Sequence, residues 1–199
     1  MLVNASRLIG TQVLSLQTGG AIAVVAELVV DPNELKIIGF RVQGPMVDRA
    51  ANILDASSVR EFSRYGMVID SIDELVAAGD VVKIKKAMDL NFDIVGLKVM
   101  TKKGTKLGKA SGYTVTDDDF MVQQIIVKRP ALKAFMDPEL TIPRKEIVEV
   151  NDYKIVVKDE EAKIRERAEN EDFIPNFVNP FRKNPEQEYA PARSQSPDE

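Results

Sequence analysis

Leu8-Ile9-Gly10-Thr11-Gln12-Val13 and Ile94-Val95-Gly96-Leu97-Lys98-Val99 are the two stretches on which the fold turns. Each sets two aliphatic residues before a glycine and a valine three positions after it. A glycine turn follows in both: Thr18-Gly19-Gly20 in the first and Lys103-Gly104-Thr105 in the second. Glycine between two apolar runs is a hairpin signal, because only glycine enters the tight left-handed turn at no steric cost. Similarity recurring at a fixed distance marks an internal repeat.

Working outward, residues 22–30 correspond to residues 107–115, and an acidic turn closes each stretch: Asp31-Pro32-Asn33-Glu34 and Asp117-Asp118-Asp119. Next comes a strand of period two, with Ile38, Phe40 and Val42 on one face, matched at an offset of 85 by Gln123, Ile125 and Val127. Ile53-Leu54, Val59 and Met67-Val68-Ile69 end the first copy; Ile142-Pro143, Ile147 and residues 153–157 end the second. Their β-branched content and short length favour strands over helices. Between the copies, Ser71 with Glu74 three residues later reads as a capped helical turn, and Val81-Val82-Lys83-Ile84 as an added strand. The expected organisation is a first domain at 1–80, a linker or added strand at 81–93, a second domain at 94–158, and a tail at 159–199.

This order of apolar-apolar-Gly, valine, glycine turn with Leu107-Gly108-Lys109, strand, Asp-rich turn and Val/Ile strand resembles the PRC-barrel family. The resemblance covers residues 8–69 and 94–157. The second copy fits better, since Ala23 stands where Gly108 does in the other. It implies an all-β chain of two tandem small barrels of about six strands that meets partners through its surface. Such barrels occur in the photosynthetic reaction-centre H subunit and the ribosome maturation factor RimM. No active site or cofactor is implied.

The 199 residues contain no cysteine and no histidine. Thiolate and imidazole metal ligands, disulfides, and the usual bases for a serine or cysteine nucleophile are therefore missing from this chain. The first ten residues carry only Arg7 and no apolar core, so no secretory leader is expected. The longest apolar stretch, residues 21–30, falls short of the roughly 20 residues of a membrane helix. The expected compartment is the cytoplasm.

Phosphate-loop chemistry fails on spacing: three residues separate Gly104 from Gly108, and Ala110 follows Lys109 where a magnesium-binding Ser or Thr is needed. Asp117, Asp118 and Asp119 lack the alternation, central glycine and distant glutamate of a calcium loop, and read as a solvated turn. No catalytic residue, metal site or cofactor is assigned, and no enzyme activity is expected.

The formal net charge is −4, unevenly spread. Residues 83–133 carry 11 Lys/Arg against 5 Asp/Glu, between acidic ends. Lys83, Lys85 and Lys86 open this basic middle, and Lys98, Lys102, Lys103, Lys106 and Lys109 surround its hairpin as candidate phosphate contacts. Aromatics able to stack bases are sparse, since Phe92, Tyr113 and Phe120 are equally well explained as core.

Residues 158–170 order acids before bases, as a short helix would, and five prolines from Pro175 to Pro197 impose an extended, partly disordered tail. Phe173, Ile174, Phe177, Val178 and Phe181 interrupt its polarity and read as anchors for a protein partner or a second copy. The function expected first is thus a non-catalytic adaptor or scaffold binding a protein of unknown identity. The alternative is a ribosome-associated or RNA-binding maturation factor using the basic second copy.

Overall fold

The computed structural model describes residues 1–130 and 139–159. The expected helix beyond residue 159 and the tail anchors Phe173, Ile174, Phe177, Val178 and Phe181 lie outside them.

Strand β1 (Leu2–Asn4) leads into β2 (Gln12–Ser15), β3 (Gly20–Asp31), β4 (Lys36–Gln43), β5 (Ile53–Asp55), β6 (Glu61–Ser63), β7 (Gly66–Ile69) and β8 (Leu75–Val76). Helix α1 (Val82–Leu90) separates these from β9 (Lys98–Thr101), β10 (Lys106–Thr116), β11 (Val122–Lys128), β12 (Glu139–Pro143), β13 (Ile147–Val150) and β14 (Lys154–Val157). The described residues are thus mostly β, in two curled sheets ordered β6-β7-β2-β3-β4-β5-β8 and β12-β11-β10-β9-β14-β13, with β1 added to β10. Reversing the second order matches its six strands to β6-β7-β2-β3-β4-β5 of the first, with β8 as an extra strand, and puts a parallel pair at the same place, β2 with β7 and β9 with β14. Among the described residues no ladder joins β12 to β13 or β5 to β6.

The repeat extends to irregularities that no alternation pattern demands. Bulges leave Ile22, Ala26 and Ile38 as the extra residues in the first sheet, and Leu107, Ser111 and Gln123 in the second, each pair 85 apart. The bulge corrects one expectation. Ile38 does not share a face with Phe40 and Val42, because an extra residue reverses the alternation; Ile37 joins the main core while Ile38 packs on the opposite side with Val29, Ile53, Ile84 and Ala87.

Those last two residues belong to α1, which corrects the strand expected over Val81-Val82-Lys83-Ile84. Lys85, Lys86, Ala87 and Met88 favour helix, and spacing of three puts Ile84 and Ala87 on one face. Burying that face against the β3–β5 surface overrides the β preference of two valines. Asn91, left-handed at φ 46°, ends the helix and donates its N–H to Met88 O. The turn foreseen at Ser71 is present as a single 3₁₀ turn, Ile72–Glu74, whose Asp73 N–H donates to Ser71 Oγ at 3.1 Å.

The two copies meet through their acidic hairpins. Leu35 (φ 47°) and Phe120 (φ 56°) both adopt the left-handed conformation immediately before β4 and just before β11, and both are buried. Each presents its carbonyl to the other copy: Ile37 N–H donates to Phe120 O at 3.1 Å, and Val122 N–H to Leu35 O at 2.9 Å. Lys36 and Met121 form the bridge between them, on a local two-fold axis. Arg144 fastens the junction by donating to Leu35 O at 3.0 Å, Val122 O at 3.2 Å and Glu34 O at 2.6 Å. The ring of Phe120 stacks edge-on against Phe40, centroids 5.1 Å apart, and lies 6.2 Å from Phe62. One continuous apolar cluster therefore draws on both sheets.

Gly108 (φ 152°) shows where the copies differ. A Cβ here would overlap the carbonyl oxygen of Lys128 on β11, while the equivalent Ala23 fits its own sheet. Gly108→Ala is expected to cost about 2–3 kcal/mol, from strained backbone and a forced opening of the β10–β11 ladder. Chemical denaturation checks this, with Ala23→Gly as the control expected to cost only about 0.5–1 kcal/mol; equal effects would refute the difference.

Candidate polyanion-binding face

The hydrogen-bond register of the second sheet aligns its lysines across four neighbouring strands. Lys128 on β11 pairs with Lys109 on β10, Lys109 with Lys98 on β9, and Lys98 with Lys154 on β14. Residues directly opposite in a ladder point to the same face. At about 4.8 Å between strands, the four lysines start from one backbone row about 14 Å long. Lys98, Lys109 and Lys128 are exposed and Lys154 is half-buried. None makes an ion pair with a described carboxylate, although Glu139 is the ladder partner of Lys128 at the β12 end.

Of the lysines singled out in the sequence, Lys98 and Lys109 stand in the row. Lys106 opposes Met100, two residues along β9 from Lys98. Lys102 and Lys103 lie in the exposed turn between β9 and β10. Lys128 and Lys154 were missed, because nothing local connects them with the hairpin; carrying the repeat's offset through to full strand pairing would have found them. Lys83, by contrast, leaves the basic group. It donates to Glu34 at 2.9 Å and lies 3.6 Å from Asp31, and the hydrogen bond accepted by Glu34 raises its ammonium above the ordinary value.

The first copy supplies an internal comparison. The corresponding row on β4, β3 and β2 is Gln43, Val24 and Gln12, paired in the same register. The fold thus builds this surface without charge. Like charges set directly opposite destabilise a sheet, so the row carries an electrostatic cost. The two copies thus differ in charge at this surface while sharing its strand pairing.

Other polar features are absorbed locally. Asp119 accepts from the Thr116 hydroxyl and from Met121 N–H, and these bonds hold its carboxyl below the usual range. Among the described residues no three carboxylates converge on a metal-sized site. A groove of about 630 Å³ opens where the copies meet, lined by equivalent residues such as Leu28 and Tyr113, or Ile9 and Val95. Its charged groups are Glu27, Asp93 and Glu139, which disfavour anions there. Among the described residues no helix is long and apolar enough to cross a membrane.

Fold and face together define a twice-repeated β protein with one charged and one neutral copy of the same surface. No protein-family model matches the chain, and no curated protein matches it.

Proposed function

We propose that this chain is a non-catalytic binding module, built of two PRC-barrel-like copies, that holds a phosphate-bearing polyanion on the second. The observation that carries this is the row Lys128, Lys109, Lys98, Lys154, without an ion pair to any described carboxylate, set against Gln43, Val24 and Gln12 in the twin sheet. The shared strand order, repeated bulges and reciprocal hairpins support reading both halves as one barrel-like fold. A ribosome-associated or RNA-binding role is one form this reading takes, since the face matches a phosphate backbone in charge. The adaptor role expected from Phe173 to Phe181 rests on residues outside those described, and no observation in the structure adds to it.

Ligand release by salt tests the proposal. Each lysine that neutralises a phosphate frees a counterion, so four contacts give a slope of about −3 in log affinity against log salt. Inorganic polyphosphate is expected to bind, and to lose about 50-fold in affinity between about 50 and 200 mM salt. Absence of binding at the lower salt would sink the proposal.

A further inference from the structure

Among the described residues two aromatic side chains are exposed, Tyr65 at 67% and Tyr153 at 80%. They occupy equivalent positions, each immediately before the strand that runs parallel to the first strand of its copy, β7 beside β2 and β14 beside β9. Phe120 and Tyr113 are buried, and Phe92 is half-buried. The aromatics that drew attention in the sequence are therefore not the ones available to a ligand.

Tyr153 sits at the end of the lysine row. Its carbonyl accepts from Lys98 N–H at 3.4 Å, and it directly precedes Lys154. Its backbone is fixed by Asn151, whose Oδ1 accepts from the N–H groups of Tyr153 and Lys154, both at 3.1 Å. The Asn151 amide in turn donates to Glu149 at 3.0 Å. An exposed tyrosine on a braced turn offers an open ring at little further entropic cost. Its counterpart Tyr65 differs: the Arg64 guanidinium lies over its ring, 4.6 Å from the centroid, and also bonds its hydroxyl. Tyr65 also adjoins the neutral copy of the surface.

We infer that the ligand of the basic face is a single-stranded nucleic acid, with phosphates along the lysine row and a base stacked on Tyr153. This rests on the proposed function above and names its partner. Three features favour it. A row one residue wide across four strands fits a linear polyanion, which needs only a narrow track of charge. A single strand, unlike a duplex, has bases free to stack. Aromatic stacking and a basic track are the two components of sequence-tolerant single-strand binding.

The test uses the full chain, fluorescent U and dT oligonucleotides of about 12 nucleotides, inorganic polyphosphate, and vesicles rich in phosphatidylserine. Tyr153→Ala is expected to weaken oligonucleotide binding at least about 5-fold while leaving polyphosphate binding unchanged. Tyr65→Ala, the same change in the same fold position, is expected to alter neither. Comparison of the U and dT probes separates RNA from DNA. If Tyr153→Ala leaves oligonucleotide affinity unchanged while polyphosphate binds, the stacking inference is overturned and the polyanion face stands. Tighter binding to vesicles than to either oligonucleotide overturns it in favour of a membrane surface. If wild type binds no probe, both inference and proposed function fail.

Discussion

Replacing Phe120 with alanine is expected to lower stability by about 3–5 kcal/mol, the range for a fully buried phenylalanine, and to reduce Tm by about 10 °C or more. Three things depend on this residue. The residue is only 2% exposed, and its ring packs edge-on against Phe40 and beside Phe62, in a cluster that draws on both sheets. Its carbonyl accepts from Ile37 N–H of the other copy. Its left-handed backbone aims the ring inward from a turn that otherwise carries three aspartates. Alanine tolerates the same φ no better and leaves a cavity at the junction. Phe120→Leu is the informative second variant, because Leu35 fills the equivalent position in the first copy; it is expected to cost about 1–2 kcal/mol. Thermal and urea unfolding measure both. A loss under about 1 kcal/mol for alanine would mean that the copies are stable without their shared core.

The second large effect is expected at the basic face, with opposite signs on binding and on stability. Changing Lys98, Lys109, Lys128 and Lys154 together to glutamine copies the chemistry of Gln12 and Gln43 in the first sheet. Polyphosphate affinity at low salt should fall on the order of 100-fold, and its salt slope should approach zero. Stability should instead rise by about 1 kcal/mol at low salt, since three neighbouring like-charge pairs are relieved at a few tenths of a kcal/mol each. Part of the gain is offset by losing the favourable neighbour of Glu139. Near 1 M salt the stability difference should vanish, because exposed charges are then screened within about 3 Å. A variant that binds polyphosphate like wild type would place the ligand elsewhere. One that is no more stable at low salt would remove the case that the lysines are kept against the interest of the fold.

Much of the architecture was legible because it is written in short-range patterns. Glycine turns, β-branched runs and acidic turns recur at a nearly constant offset, and they locate most strands of both copies. What escaped notice depended on partners distant in the chain. Helix α1 begins with residues that favour strand and is decided by an apolar surface on β3, β4 and β5. Ile38 breaks a period that Phe40 and Val42 keep, because a bulge gives it no partner on β3. Arg144, an unremarkable basic residue in sequence, closes the junction through carbonyls of both copies.

The candidate site divides the same way. From the sequence alone came its sign, its location in the second copy, and Lys98 and Lys109 as members. Only the tertiary structure made it a row, since Lys128 and Lys154 reach their neighbours through ladder register, and register is a property of paired strands. Composition fixes how much charge a segment carries because charge is additive along the chain. Whether those charges repel one another across 4.8 Å or disperse into solvent is settled by which backbone hydrogen bonds form.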